Sequence, residues 1–170
     1  YDASMSLRQI ASEAKTTVFS ALWVGLAAFI AKETEQADTL IAVSHANRPS
    51  SDFDNVVGCF TKALPYRLNL SNNPDFRTAT RIAGQLSREY MVHQEIPIEH
   101  LPNLSASRPG QYLTSFAQVA LQYHDFDWAA KVEASPGLVR TLEFEAGITA
   151  FFEISIEWYW RSGTLVCAMV

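Results

Sequence analysis

Four histidines are the residues of this sequence best suited to acid–base or metal chemistry, and they stand at positions 45, 93, 100 and 124. His93 and His100 could share one face of a helix, but Pro97 lies between them and breaks the helical register. Neither cysteine stands near a histidine at the spacing of a zinc site, and no glycine-rich phosphate loop or Gly-x-Ser-x-Gly turn occurs. These residues therefore predict neither a metal site nor a self-contained catalytic motif.

His45 differs from the other histidines because it closes an apolar run and precedes Ala-Asn-Arg, the last two of which are Asn47 and Arg48. Strand ends of open α/β sheets are common ligand sites, so this junction is a candidate. The simpler interpretation is a histidine held by local hydrogen bonds. Glu153 and Glu157 alternate with apolar residues in FFEISIEWYW, a pattern that predicts one solvated and one buried face of a strand.

The composition indicates a single globular domain of 170 residues, with 48% apolar and 18% charged residues. A net charge of −5 argues against a nucleic-acid-binding face, and the longest apolar run, 14 residues, is too short for a membrane span. Cys59 and Cys167 have apolar neighbours, which predicts free, buried thiols in a reducing compartment. With no visible signal peptide, we expect a cytoplasmic protein. The first residue is not Met and the last residues read as mid-strand, so we expect a fragment.

The spacing of apolar residues predicts the element order α-α-β-β-α-β-β-β-β. The first predicted helix covers about 7–14, and the second covers 18–33 with Thr16 or Thr17 as its N-cap. The third begins with Asn73 as its N-cap and Pro74 at its first position, and it ends at about His93. The second helix is apolar on nearly every side and is predicted to be buried. The predicted strands cover about 39–46, 63–70, 113–123, 138–145, 150–160 and 164 to the end. This order predicts an α/β or α+β two-layer sandwich, with helices on one face of a mixed sheet.

A glycine corner precedes the second predicted strand, in VVGCFTKALPYRLNL. Gly58 lacks a Cβ, so the backbone can approach a neighbour or a ligand closely there. We expect Phe60 to anchor the turn in the core. Pro65 removes a ladder donor, which favours an edge strand or a strand start.

Four segments in one order resemble the core motifs of nonribosomal peptide synthetase condensation domains. DTLIAVSHANRP is similar to the family's strand and loop ending in Ala-Asn-Arg, and VGCFTKALPYRL resembles the fifth motif. HQEIPIEHL resembles the sixth motif, and RPGQYLTSFAQVALQY a weakened seventh. The likeness spans about residues 5 to 123, with a looser fit to the end.

The resemblance implies the C-terminal lobe of a chloramphenicol-acetyltransferase-like pseudo-dimer. In that family, a tunnel between two lobes brings together the phosphopantetheine arms of two carrier proteins, and an amide bond forms between their thioester-bound groups. The family's catalytic motif, His-His-x-x-x-Asp-Gly, does not occur in this chain. The lobe is therefore expected to be inactive alone and to bind no cofactor directly. Its implied partners are the N-terminal lobe and the peptidyl and aminoacyl carrier proteins.

The resemblance also implies which residues line the lobe interface and tunnel: His45, Asn47, Arg48, Gly58, Phe60, Thr61, Lys62 and Arg67. Arg48 is the candidate for a buried arginine that pairs with the aspartate of the absent motif, and Arg67 is the alternative. Four residues of the sixth motif are implied to be structural: His93, Gln94, Pro97 and Glu99. Residues 124–147 are implied to be a latch that crosses to the other lobe.

Two departures keep other functions open. Lys62-Ala63 stands where the family has Asn-Thr, and a lysine is a pure cation where asparagine both donates and accepts. This change favours a non-catalytic module that recruits a carrier protein or tailoring enzyme. Phe60-Thr61 is similar to the epimerization-domain version of the motif, so a lobe of an epimerization or cyclization domain is the third alternative.

Overall fold

Three helices lie over one face of a five-stranded mixed sheet in the computed structural model, which describes residues 3–48, 50–95, 117–127 and 152–169. The helices are α1 (Ala3–Glu13), α2 (Val18–Thr34) and α3 (Phe76–Val92). The strands are β1 (Asp38–His45), β2 (Lys62–Asn69), β3 (Val119–Asp127), β4 (Ile154–Arg161) and β5 (Thr164–Met169). A 3₁₀ turn, Ser51–Phe53, lies between β1 and β2. The predicted two-layer α/β fold is confirmed.

The strand order across the sheet is β2-β1-β3-β4-β5. The central strands β1, β3 and β4 run parallel, and the outer strands β2 and β5 pair with them antiparallel. Pro65 lies in the edge strand β2, as its missing donor predicts. β3 continues four residues past its predicted end at Tyr123. The predicted strand 138–145 and most of the implied latch lie outside the described residues.

The core lies between the sheet and α2 and α3, and aromatic rings form its centre. Trp23 and Tyr66 are fully buried with ring centroids 4.9 Å apart, and Tyr90 lies 4.8 Å from Tyr66. The prediction that α2 is buried is wrong for part of its surface, because Phe29 is 62% exposed. Only the stripe of α2 that faces the sheet and α1 and α3 is covered, since α2 belongs to an outer layer.

Side-chain caps set where two helices begin. Thr17 caps α2 by accepting a hydrogen bond from the Ser20 N–H, as predicted. The prediction for α3 is wrong: Asp75 is the N-cap and the helix begins at Phe76. The Asp75 carboxylate accepts hydrogen bonds from the Thr78 N–H at 3.0 Å and hydroxyl at 2.7 Å, which fixes the first turn two residues later than predicted.

Both cysteines are exposed free thiols, so the prediction of buried thiols is wrong. Cys59 lies in the loop before β2, and Cys167 lies on the edge strand β5, where local apolar sequence does not ensure cover. Among the described helices, none is long and apolar enough to cross a bilayer. α1 and α2 meet that criterion only when taken together, and the break between them is bent by 108°.

Candidate functional site at the ends of β1 and β2

Arg48, just past the end of β1, organises the loop that leads to β2. Its guanidinium donates to the backbone carbonyls of Phe53 and Val56, the latter at 3.1 Å, and approaches the Gly58 carbonyl at 3.5 Å. The same group lies 4.6 Å from the centre of the Phe60 ring. A planar cation with several donors can hold several carbonyls at once, so Arg48 fixes the curvature of residues 50–60. We call Arg48 and these contacts the Arg48 clamp.

The glycine corner fits inside this clamp. A Cβ at Gly58 would lie 3.2 Å from the Phe60 ring, so the missing side chain allows the ring to pack against the corner. The prediction that Phe60 anchors the turn in the core is wrong. It is half-buried and contacts Phe53 at 5.6 Å between ring centroids, because the loop has its own small cluster with Arg48. Val57 at the tip is fully exposed.

His45 occupies the last position of β1, where Lys62 of β2 is its register partner. Its Nε2 lies 2.8 Å from the hydroxyl of the buried Tyr66. Burial lowers the pKa of His45, and the positive charge of Lys62 lowers it further. Burial also raises the pKa of Tyr66. The pair is therefore neutral at neutral pH, and the local hydrogen bond is the simpler interpretation of His45.

Six of the candidate residues thus lie at one end of the sheet, in the strand ends and the loop: His45, Asn47, Arg48, Gly58, Phe60 and Lys62. Thr61 is exposed and directly precedes β2. Arg67 lies toward the opposite end and forms an exposed ion pair with Asp38 at 2.7 Å. The hydrogen bond from Arg67 lowers the pKa of Asp38. Arg67 is therefore separate from the Arg48 clamp.

The sixth-motif residues lie apart from this site in sequence and only partly within the described chain. His93 is the C-cap of α3, where its N–H bonds to the Tyr90 and Met91 carbonyls. Gln94 follows in the turn, and Pro97 and Glu99 lie outside the described residues. No three histidine, cysteine or acidic side chains in the described ranges are placed to hold a metal ion.

A polar cluster that the sequence did not single out lies on the sheet. His124 of β3 and Glu157 of β4 are joined by a 2.8 Å contact, with the Gln122 side chain beside them. Alternation in both strands predicts a polar face, but only the β3–β4 register brings these two side chains together. No local pattern contains that register, because 26 residues lie between the last residue of β3, Asp127, and the first residue of β4, Ile154.

An apolar groove of about 330 Å³ lies between α1, α2 and the strands β4 and β5. Its walls include Leu7, Leu26, Phe29 and Trp158, and no charged side chain lines it. The groove contains none of the residues predicted to belong to the site.

A mixed sheet with helices on one face and an ordered loop at its strand ends defines a two-layer α/β lobe. More specifically, the chain belongs to the condensation domain family, whose family model matches residues 2–170. This match confirms the resemblance to nonribosomal peptide synthetase condensation domains.

Curated and solved relatives agree with this assignment. The chain is 28% identical over 123 residues to a probable non-canonical nonribosomal peptide synthetase, CymA, of Salinispora arenicola, covering 71% of this chain and 2% of that protein. It is similar in fold to the condensation domain of the Monacolin K polyketide synthase MokA, with a TM-score of 0.76 and 17% identity, over 98% of this chain and 38% of that one. The X-domain from teicoplanin biosynthesis matches with a TM-score of 0.77 and 19% identity, over 96% and 37%. The chain thus spans a small part of the synthetases and just over a third of these solved domains.

Proposed function

We propose that this chain is the C-terminal lobe of a condensation domain that forms amide bonds between groups carried as thioesters on two carrier proteins. The observation that carries the proposal is a contrast. The family match runs through the chain from residue 2 to residue 170, yet the sequence contains no His-His-x-x-x-Asp-Gly motif. The catalytic histidine would then come from the N-terminal lobe. This lobe would supply tunnel wall and carrier docking.

The Arg48 clamp supports a role for the corner at the lobe interface. It holds the loop with Val57 fully exposed, so an apolar tip is presented in a fixed conformation. Two guanidinium N–H groups already bond to carbonyls, and five are available. Arg48 can therefore still pair with an aspartate of the other lobe. The phosphopantetheine arms would belong to the carriers, and we expect the assembled domain to work in the cytoplasm.

Reconstitution tests this proposal. The chain is mixed with an N-terminal lobe that has an intact His-His-x-x-x-Asp-Gly motif, a donor-loaded carrier and an acceptor-loaded carrier, and carrier-bound products are measured by mass spectrometry. We expect amide product with both lobes and none with either lobe alone. Replacing the second histidine of the motif in the N-terminal lobe is the matched control and should abolish product. Amide formation by this chain alone would contradict the assigned roles.

A second candidate function is a non-catalytic module that binds a carrier protein or tailoring enzyme. Lys62 favours it, because a cation beside His45 replaces the amide of the family's motif. The same mixture discriminates the two functions. Carrier binding without amide formation, and no gain from a Lys62→Asn, Ala63→Thr double variant, would favour recruitment. A lobe of an epimerization or cyclization domain would instead change the donor stereochemistry or form a heterocycle.

A further inference from the structure

The strand β5 lies at one edge of the described sheet, and its residues differ in chemistry from those of the opposite edge. β5 contains no charged residue and no proline, whereas the edge strand β2 contains Lys62, Pro65 and Arg67. Charges and prolines on an edge strand oppose pairing with another chain, and an uncharged apolar edge permits it. β5 is therefore the edge of the described sheet that is suited to strand addition.

One hydrogen bond shows which backbone groups of β5 point outward. The Leu165 N–H donates to the Ser4 hydroxyl of α1 at 3.1 Å, so it points away from β4. Outward groups recur at every second residue of an antiparallel strand, which places the N–H and C=O groups of Cys167 and Met169 on the same outer side. No described strand other than β4 pairs with β5. Within the described chain, α1 thus closes this edge at Leu165 and leaves it open at Cys167 and Met169.

The side chains at the open part of the edge are complementary to those of a second copy. Cys167 lines the apolar groove of about 330 Å³, together with Phe29 and Trp158. Met169 projects from the same face of the sheet two residues later, and it is 73% exposed. An antiparallel pairing about a twofold axis at Ala168 sets Met169 of each copy opposite Cys167 of the other, with both side chains on one face. Each exposed methionine then lies beside the groove of the other copy.

We propose that this chain forms a symmetric dimer in which two β5 strands pair antiparallel about Ala168. The pairing joins two five-stranded sheets through backbone hydrogen bonds between Cys167 of one copy and Met169 of the other. It keeps the bond between Ser4 and Leu165, because neither residue belongs to the pairing. The Arg48 clamp precedes β2 at the other edge of the sheet and stays accessible, so this inference goes beyond the proposed function and does not depend on it.

Disulfide trapping tests the pairing and its register. When Met169→Cys is combined with Cys59→Ser, the new thiol lies opposite Cys167 of the second copy, at a Cα–Cα distance of about 5.5 Å. Disulfides join Cα atoms that are about 4.4–6.8 Å apart, so mild oxidation should give a covalent dimer on a non-reducing gel. Cys59→Ser alone is the matched control. Its two Cys167 residues are offset along the paired strands and should stay unlinked.

Analytical ultracentrifugation measures the association without a cross-link. The wild-type chain should show a monomer–dimer equilibrium across a concentration series. Met169→Lys should raise the dimer dissociation constant at least tenfold, because each lysine would face the apolar groove of the other copy. Val92→Lys is the matched control: Val92 is 77% exposed and ends α3, which packs on β2 at the far edge, so the dissociation constant should not change.

Three results would overturn the inference. The first is a monomer at every concentration of the wild-type chain. The second is no more covalent dimer from the Met169→Cys protein than from its Cys59→Ser control. The third is equal weakening of the dimer by Met169→Lys and Val92→Lys, which would place the contact away from β5.

Discussion

Replacing Arg48 by methionine should open the loop before β2 while leaving the helices folded. Arg48→Met removes the donors to the Phe53 and Val56 carbonyls and the cation over the Phe60 ring. Each hydrogen bond contributes about 0.5–1.5 kcal/mol net, and an exposed cation–π contact contributes about 0.5–1 kcal/mol. The Gly58 contact, at 3.5 Å, is too long to add much. The clamp should therefore stabilise the closed loop by about 1.5–4 kcal/mol.

Native-state hydrogen exchange measures this energy directly. The loop N–H groups of Phe53, Asp54 and Val56 are hydrogen-bonded within the loop. A loss of about 1.5–4 kcal/mol makes their exchange roughly 10- to 700-fold faster, since about 1.4 kcal/mol is a factor of ten. The N–H groups of α3 should keep their rates, because the loop can open without unfolding the core.

Arg48→Lys is the matched control, because lysine keeps the charge and loses the planar group that reaches two carbonyls. Its loop exchange should lie between those of the wild type and Arg48→Met. Unchanged loop exchange in Arg48→Met would refute the reasoning, and so would an equal acceleration in α3. In the reconstituted domain, Arg48→Met should weaken binding of the N-terminal lobe, since the exposed tip at Val57 would lose its fixed conformation.

Three further outcomes follow from local geometry. Gly25→Ala should raise the free energy of unfolding by about 0.5–1 kcal/mol, since an added Cβ meets nothing within 4 Å. Gly84→Ala should lower the free energy of unfolding, because its Cβ would overlap the Thr16 side chain. Urea unfolding measures both changes. Because the pKa of His45 is lower in the folded chain than its usual value near 6.5, the unfolded chain binds more protons at this residue as the pH falls through 6.5. His45 therefore lowers the free energy of unfolding as the pH falls from 7.5 to 5.5, and His45→Gln should flatten that dependence. Asp38→Asn should barely change the urea midpoint in 0.15 M salt, because its ion pair is exposed; a large drop would show that it is coupled to the core.

The sequence predicted element types better than element ends. Apolar periodicity is a property of many residues at once, and it located α2 and β2 to within a residue or two. The start of α3 was wrong because Asn73, Pro74 and Asp75 are all acceptable near a helix N-terminus. Only the observed bonds from Thr78 identify Asp75 as the cap.

The candidate site was predictable in membership more than in mechanism. The motif residues from His45 to Lys62 are close in sequence and lie at one end of the sheet. The hydrogen bonds from Arg48 to carbonyls of its own loop could not be predicted from residue types, because every residue has a backbone carbonyl and only the folded loop shows which ones Arg48 reaches. The His124–Glu157 pair depends on strand register, which no single segment specifies.

The parallel strands predict a second covering layer on the face of the sheet opposite the described helices. Parallel strands are normally covered on both faces, and β1, β3 and β4 form a parallel group with described helices on one face only. Ala42 lies on that face in register with Ala120, and it is 1% exposed, so the centre of the face is shielded from water. Small residues there would let a second layer, such as another lobe, pack closely against the sheet. A crystal structure of the assembled domain with that face turned to solvent would contradict this argument.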